Sequence, residues 1–116
     1  MDVYVYKNCD SCRKALKYLN ARGIKHVAMP IRENPPSPAE LKTMLKRYNG
    51  DLRKLFNSAG GEYKALNLKE KLSTMTQDEA IALLSTNGNL VKRAFVLGKN
   101  VGLLGFRQAE WDAVFD

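Results

Sequence analysis

Cys9 and Cys12 are the only cysteines of this 116-residue chain, and they form a Cys-x-x-Cys. Two thiols at that spacing can exchange a disulfide with a substrate and close one between themselves. The run before them, Val3-Tyr4-Val5-Tyr6, is β-branched and aromatic, ends at Lys7-Asn8, and reads as a short strand. The run after them, Ser11 to Arg22, has helical spacing, with Cys12, Ala15, Leu16 and Leu19 on one face. A thiol at such a junction meets free backbone N–H groups and the positive end of the helix dipole, which favour thiolate over thiol. Arg13 adds a fixed positive charge in the same direction. Cys9 is therefore the candidate nucleophile, and Cys12, one turn deeper on the core side, the candidate resolving thiol. Two unremarkable buried cysteines would share that spacing, but a Cys-x-x-Cys opening a helix after a strand is a redox signature.

The elements that must position these thiols can be read in order. Gly23 caps the first helix, and Ile24 to Ile31 is the second strand, so the chain opens as a βαβ unit with a parallel pair. His26, the single histidine, has no cysteine near it in sequence and is assigned no metal role. The Pro35-Pro36 loop leads to a capping box, Ser37 to Glu40, with Pro38 at the first helical position. The helix it opens carries Leu41, Met44, Leu45 and Tyr48 on a core stripe and stops at Asn49-Gly50. Asp51 caps a short helix, and the loop Asn57-Ser58-Ala59-Gly60-Gly61 has two glycines that allow close backbone approach, by a ligand or simply by the next helix. Glu62 to Lys71 reads as one helix, with Tyr63, Leu66 and Leu68 apolar. A second capping box, Thr76 to Glu79, opens another that ends at Asn87-Gly88. Strand character returns before Gly98 and again over Val101 to Leu104, with Lys99-Asn100 as the turn, and a last helix is anchored by Trp111, Val114 and Phe115. The expected fold is α/β and thioredoxin-like, β-α-β … β-β-α with a mixed sheet. One domain over 1–116 is expected, its core formed by 1–34 and 90–116 and interrupted by an all-helical segment, 35–89.

Length and composition, with 45% hydrophobic and 27% charged residues, suit a globular domain with a real core. There is neither a long apolar run nor a signal-peptide pattern, so a cytoplasmic chain is expected, where a lone Cys pair is catalytic or sensory. The net charge of +7 admits an anionic small substrate, an acidic protein or nucleic acid. The basic residues are scattered without a run of five or an RNA-binding aromatic motif, so direct nucleic-acid binding is not expected, nor membrane binding. Nothing demands more than a monomer.

Six stretches resemble the arsenate reductase/Spx family (ArsC-like, thioredoxin superfamily): Tyr6 to Ala15, Glu33 to Ser37, Leu55 to Gly60, Leu66 to Lys71, Leu90 to Arg93, and Gly105-Phe106. They lie in one order over nearly the full chain. The resemblance implies an attacking thiolate at Cys9 and an oxyanion held by three arginines. Arg93 and Arg107 match two of these, and the third falls near Asn57, where no arginine stands. Asn8 and Arg13 join Arg93 and Arg107 as expected anion- or substrate-binding residues, and Asn57, Ser58 and Gly60 as loop contacts. Where the family reads Arg-Pro, with the proline expected in cis opposite the active cysteine, this chain reads Arg93-Ala94. A non-proline cis bond costs about 2.5–4 kcal/mol, so a trans peptide and an altered wall beside Cys9 are expected. Both departures count against a full arsenate reductase.

Two classes of function follow. One is a thiol-disulfide oxidoreductase related to glutaredoxin-dependent arsenate reductase, with no bound cofactor, an anionic or thiol substrate, and glutathione or glutaredoxin as external reductant. The other, also implied by the resemblance, is an Spx-like redox-sensing regulator that binds the C-terminal domain of the RNA polymerase α subunit. A member of the family with decayed chemistry would keep only the fold.

Overall fold

The computed structural model describes residues Met1–Asp116. Four strands form one mixed sheet in the order β2-β1-β3-β4. The central strand β1 (Asp2–Val5) pairs parallel with β2 (Val27–Pro30) and antiparallel with β3 (Phe95–Gly98), which pairs antiparallel with β4 (Val101–Leu104). Helix α1 (Asp10–Ala21) joins β1 to β2. Between β2 and β3 run α2 (Pro38–Arg47), a 3-10 turn (Leu52–Leu55), α3 (Gly61–Ala65), α4 (Leu68–Lys71) and α5 (Gln77–Thr86), and α6 (Gln108–Phe115) follows β4. This is the mixed-sheet, thioredoxin-like layout expected from the sequence.

The period of two along each strand sorts side chains to opposite faces. Val3, Val96 and Leu103 pack with Cys12, Ala15, Tyr18, Leu19, Ala94 and Trp111 under α1 and α6. Tyr4, Phe95 and Leu104 face the other way, into a larger core filled by Leu41, Met44, Leu45, Ile81 and Leu84 of α2 and α5. The helices between β2 and β3 therefore share a core with the sheet.

Local chemistry sets the ends of the elements. Ser37 and Thr76 each cap a helix through a complete capping box. After α1, Gly23 takes a φ of 64°, its N–H bonds the Asn20 carbonyl, and the Ile24 N–H bonds that of Leu19, a Schellman ending. Asn49, with φ 58°, ends α2 the same way.

Several expectations need correction. The second strand begins at Val27 rather than Ile24, because Ile24 is taken up in closing α1. The single helix expected over Glu62 to Lys71 is two, α3 and α4, divided at Asn67, whose φ of 54° lies in the left-handed region. Leu66 is exposed beside that break, and Val114, expected to anchor the last helix, is exposed on α6. The Arg93–Ala94 peptide is cis, not trans. The trans expectation rested on the intrinsic preference of the bond alone. Here Ala94 is fully buried and its carbonyl accepts the Gly105 N–H at 2.7 Å, a tertiary setting that the dipeptide preference leaves out.

Candidate functional site

Both thiols sit where β1 hands over to α1. Cys9 is the N-cap residue, with extended backbone (φ −115°, ψ 117°), and its own Sγ accepts the Cys12 N–H at 3.3 Å. A sulfur in the capping position takes the place usually held by a serine or aspartate oxygen and points at the free amides of the first turn. Cys9 is partly exposed, whereas Cys12 is 1% exposed and packs against Val3, Ala15 and Ala94. The Tyr6 N–H points at the Cys12 sulfur at 3.4 Å. Burial, then the hydrogen bond to Cys9, pushes the Cys12 thiol up to about 12, against smaller lowering effects of the Tyr6 amide and the Arg93 charge. The pair is thus asymmetric, with an accessible sulfur in front and a protonated one behind it.

The cations divide between different neighbourhoods. Arg93 is close enough to act on Cys12. Its guanidinium carbon lies 4.9 Å from the centre of the Tyr6 ring, and its Nη1 is buried without a hydrogen-bond partner. A buried donor of a charged group left without a partner is a place where an anion would be favourable. Arg13 behaves differently from expectation. It donates to the Asp10 carboxylate at 2.9 Å and to the Lys7 carbonyl at 3.3 Å, so its charge is engaged at the rim and holds Asp10 below the usual carboxylate range. Asn8 is exposed in the turn beside it.

Arg107, grouped with the thiol-site cations on the strength of the resemblance, caps the start of α6. It lines a separate cleft together with Ser58, Lys92 and Leu104, and neither cysteine borders that cleft. Asn57 is held in its own loop: its N–H bonds the Leu90 carbonyl at 2.7 Å, and its Nδ2 reaches the Asn89 carbonyl at 3.4 Å. Gly60 packs onto it so closely that a Cβ there would come within 2.8 Å of Asn57 Nδ2, which accounts for a glycine in a loop folded back on itself.

Two neighbours were not singled out from the sequence. Tyr6 lies between the thiols and the cations, and Arg32 places its guanidinium 5.1 Å from the centre of the same ring while donating to the Tyr6 hydroxyl at 3.0 Å. Arg32 stands in the loop after β2, distant in sequence from the cysteines, and no spacing rule links it to them. An open cleft of about 330 Å³ beside it is lined by Tyr6, Lys7 and Glu33 among others.

The chain is similar to known proteins over nearly its full length. The chain is 39% identical over 109 residues to YusI, an uncharacterized protein of Bacillus subtilis, covering 94% of this chain and 92% of that protein. A Staphylococcus aureus protein solved in solution superposes with a TM-score of 0.85 at 37% identity, covering 97% of this chain and 95% of the other. An arsenate reductase from Vibrio cholerae superposes with a TM-score of 0.75 at 26% identity, over 90% of each chain. A global transcriptional regulator, Spx 1 of Lactococcus lactis, is 22% identical over 110 residues, covering 95% of this chain and 84% of its own. The ArsC family model matches residues 4–114, from the middle of β1 to the last turn of α6, and the chain belongs to the ArsC family.

Proposed function

We propose that the protein is a thiol-disulfide oxidoreductase in which Cys9 attacks and Cys12 resolves. The observation that carries this reading is the capping position of Cys9, its sulfur on the first-turn amide with a buried thiol one turn behind it. In the first step the Cys9 thiolate attacks one sulfur of a substrate disulfide, forming a Cys9–substrate disulfide and releasing the other half as thiolate. Cys12 then attacks the Cys9 sulfur, closing Cys9–Cys12 and releasing the second half, while its proton goes to a departing thiolate. Two electrons have passed from the pair to the substrate. Two molecules of glutathione, or the dithiol of a glutaredoxin, return them by reducing Cys9–Cys12 and are left as a disulfide themselves.

The causes of the Cys12 shift give the steps their order. Two of them, the hydrogen bond that the Cys12 thiol donates to Cys9 and the charge of Cys9, vanish once Cys9 is held in a disulfide, while the lowering effects of the Tyr6 amide and Arg93 remain. Cys12 stays protonated while Cys9 is free and becomes easier to ionise after Cys9 has reacted. Arg93, with its unpartnered Nη1, would hold the anionic part of the substrate nearest the sulfurs.

The test is reduction of a glutathione mixed disulfide and of arsenate by the wild type and Cys9→Ser, with glutathione and glutaredoxin supplied. Mixed-disulfide turnover should depend on Cys9, and arsenate turnover should be weak, since Asn57 offers no bidentate fork where the family resemblance implies an arginine. Mixed-disulfide turnover undiminished in Cys9→Ser would defeat the proposal. The likeness to Spx supports a second reading, a regulator whose thiol pair alters binding to the RNA polymerase α C-terminal domain. Pull-down of that domain by reduced against oxidised protein distinguishes the two, and equal capture in both states would remove the regulator.

A further inference from the structure

The cleft that receives Arg107 has no part in the thiol chemistry above. It measures about 300 Å³ and opens among the end of α2, the Leu52–Leu55 turn and the start of α6. Its apolar surface comes from Tyr48, Phe56 and Leu104, of which Phe56 and Leu104 are buried. Around that floor stand Arg53, Lys54, Lys92 and Arg107.

These four cations face a single carboxylate, Glu110, and it is already committed, accepting a hydrogen bond from the Tyr48 hydroxyl at 2.8 Å. That hydroxyl in turn accepts the Leu104 N–H at 2.9 Å, so the polar atoms at the base of the cleft are satisfied by one another. None of the four cations is in an ion pair, because every ion pair of the molecule belongs to Arg13 or Arg22. Lys54 lies over the face of Tyr48, 5.7 Å from the ring centre, and Arg53 is steadied by donating to the Lys69 carbonyl at 3.1 Å. Like charges held together on a concave surface concentrate anions there. An inorganic ion would answer the charge but leave the apolar floor unused. A volume of about 300 Å³ is at the lower end of the range for small-molecule pockets.

From this we infer that the cleft is a binding site for a small organic anion with a flat body and at least two negative charges, supplied by phosphate or by carboxylates. The body would lie against Tyr48, the half-exposed part of that floor, and the charges would meet Lys54, Lys92 and the two arginines.

Amide chemical shifts of the isotope-labelled whole chain test this independently of any sulfur reaction. Adenosine monophosphate supplies a flat body with phosphate, isophthalate a flat body with carboxylates, and pyrophosphate charge without a body. At least one of the first two should give saturable shifts centred on Phe56, Ser58, Leu104 and Arg107, and which one does identifies the charged group. Pyrophosphate should bind more weakly by about tenfold, as expected when contacts worth about 1.4 kcal/mol are lost. The double variant Lys54→Glu with Lys92→Glu should weaken binding by about tenfold or more, while the exposed control Lys42→Glu should not. Well-dispersed spectra of each variant establish that it is folded, and the milder pair Lys54→Gln with Lys92→Gln should give an intermediate loss. Non-saturating shifts spread over all exposed lysines, shifts centred on Cys9, pyrophosphate binding as tightly as the organic anions, or capture of an acidic peptide but no small anion would each overturn the inference.

Discussion

Two sulfurs with unequal surroundings stand where β1 hands over to α1. Cys9 caps a helix and is partly exposed, while Cys12 is buried and its thiol is pushed up to about 12. The inequality can be measured directly. In reduced protein near neutral pH, an alkylating reagent followed by peptide mapping should modify Cys9 and leave Cys12 unmodified. Labelling of Cys12 at a comparable rate would contradict the buried, protonated thiol. Cys12→Ser should still form the Cys9–substrate disulfide but accumulate it, visible by intact mass, because the resolving sulfur is gone. Arg93→Gln keeps much of the side-chain volume and removes the charge. It should raise KM for an anionic disulfide more than for a neutral one, by about tenfold for one lost charge-assisted hydrogen bond.

Among the elements, α2 and α5 owe their starts to capping boxes, and β2 owes its place to a close backbone approach. Ser37 Oγ accepts the Glu40 N–H at 3.2 Å while Glu40 Oε1 accepts the Ser37 N–H at 3.0 Å, and the same carboxylate takes the Tyr4 hydroxyl at 2.9 Å. One glutamate therefore ties the first turn of α2 to the central strand. Ser37→Ala should cost about 1 kcal/mol in urea unfolding, the ordinary worth of such a cap. Glu40→Ala should cost more, since it also leaves the Tyr4 hydroxyl without its partner. Gly88 is the tighter constraint. A Cβ there would lie 1.9 Å from the Ile31 carbonyl oxygen, so the backbone after α5 and the backbone after β2 can touch only because residue 88 has no side chain. Gly88→Ala must separate them. It should lower stability by about 1–3 kcal/mol, the cost of overpacking, and a melting temperature equal to that of the wild type would show that the contact yields without cost.

At the scale of the whole molecule, three phenols and one thiol are kept protonated by their surroundings. Burial and hydrogen bonds to carboxylates raise Tyr4 through Glu40 and Tyr48 through Glu110, Tyr18 is pushed up to about 12 by burial and its bond to Asp112, and Cys12 rises with them. In each case the folded chain keeps its proton to higher pH than the unfolded chain does. Their contribution to stability is therefore complete below the ordinary Cys value of 9.0 and is lost progressively as pH climbs toward 12. Urea unfolding in the presence of reductant at about pH 8 and about pH 11 should show lower stability at the higher pH. Tyr48→Phe should flatten that difference, and an unchanged slope in that variant would show that its phenol does not take part. The net charge of +7 belongs to the same scale. It is spread over solvated helix faces except at the cleft beside α6, where the fold gathers four cations around one carboxylate.

The order of elements was legible because local rules suffice for it: strand composition at Val3 to Tyr6, helical spacing after Cys9, caps at Ser37 and Thr76, turns at Asn49-Gly50 and Lys99-Asn100. The junction that holds the two thiols was legible for the same reason, since Cys9 and Cys12 are one helical turn apart and need no distant partner to meet. Contacts across long separations were not. Asn67 breaks a segment whose composition suits an unbroken helix, and the Arg93–Ala94 bond takes its isomer in a buried setting that no dipeptide preference contains. Arg32 and Arg93, sixty-one positions apart in the numbering, come to the same tyrosine ring only because β1 lies between β2 and β3. Arg107, which the family resemblance groups with the thiol site, lines another cleft at the start of α6, just past the end of β4. Sequence determined which residues could do chemistry and what backbone would carry them. Which charges stand beside the sulfurs was left to strand order and packing, since electrostatic attraction depends on distance through space and not along the chain.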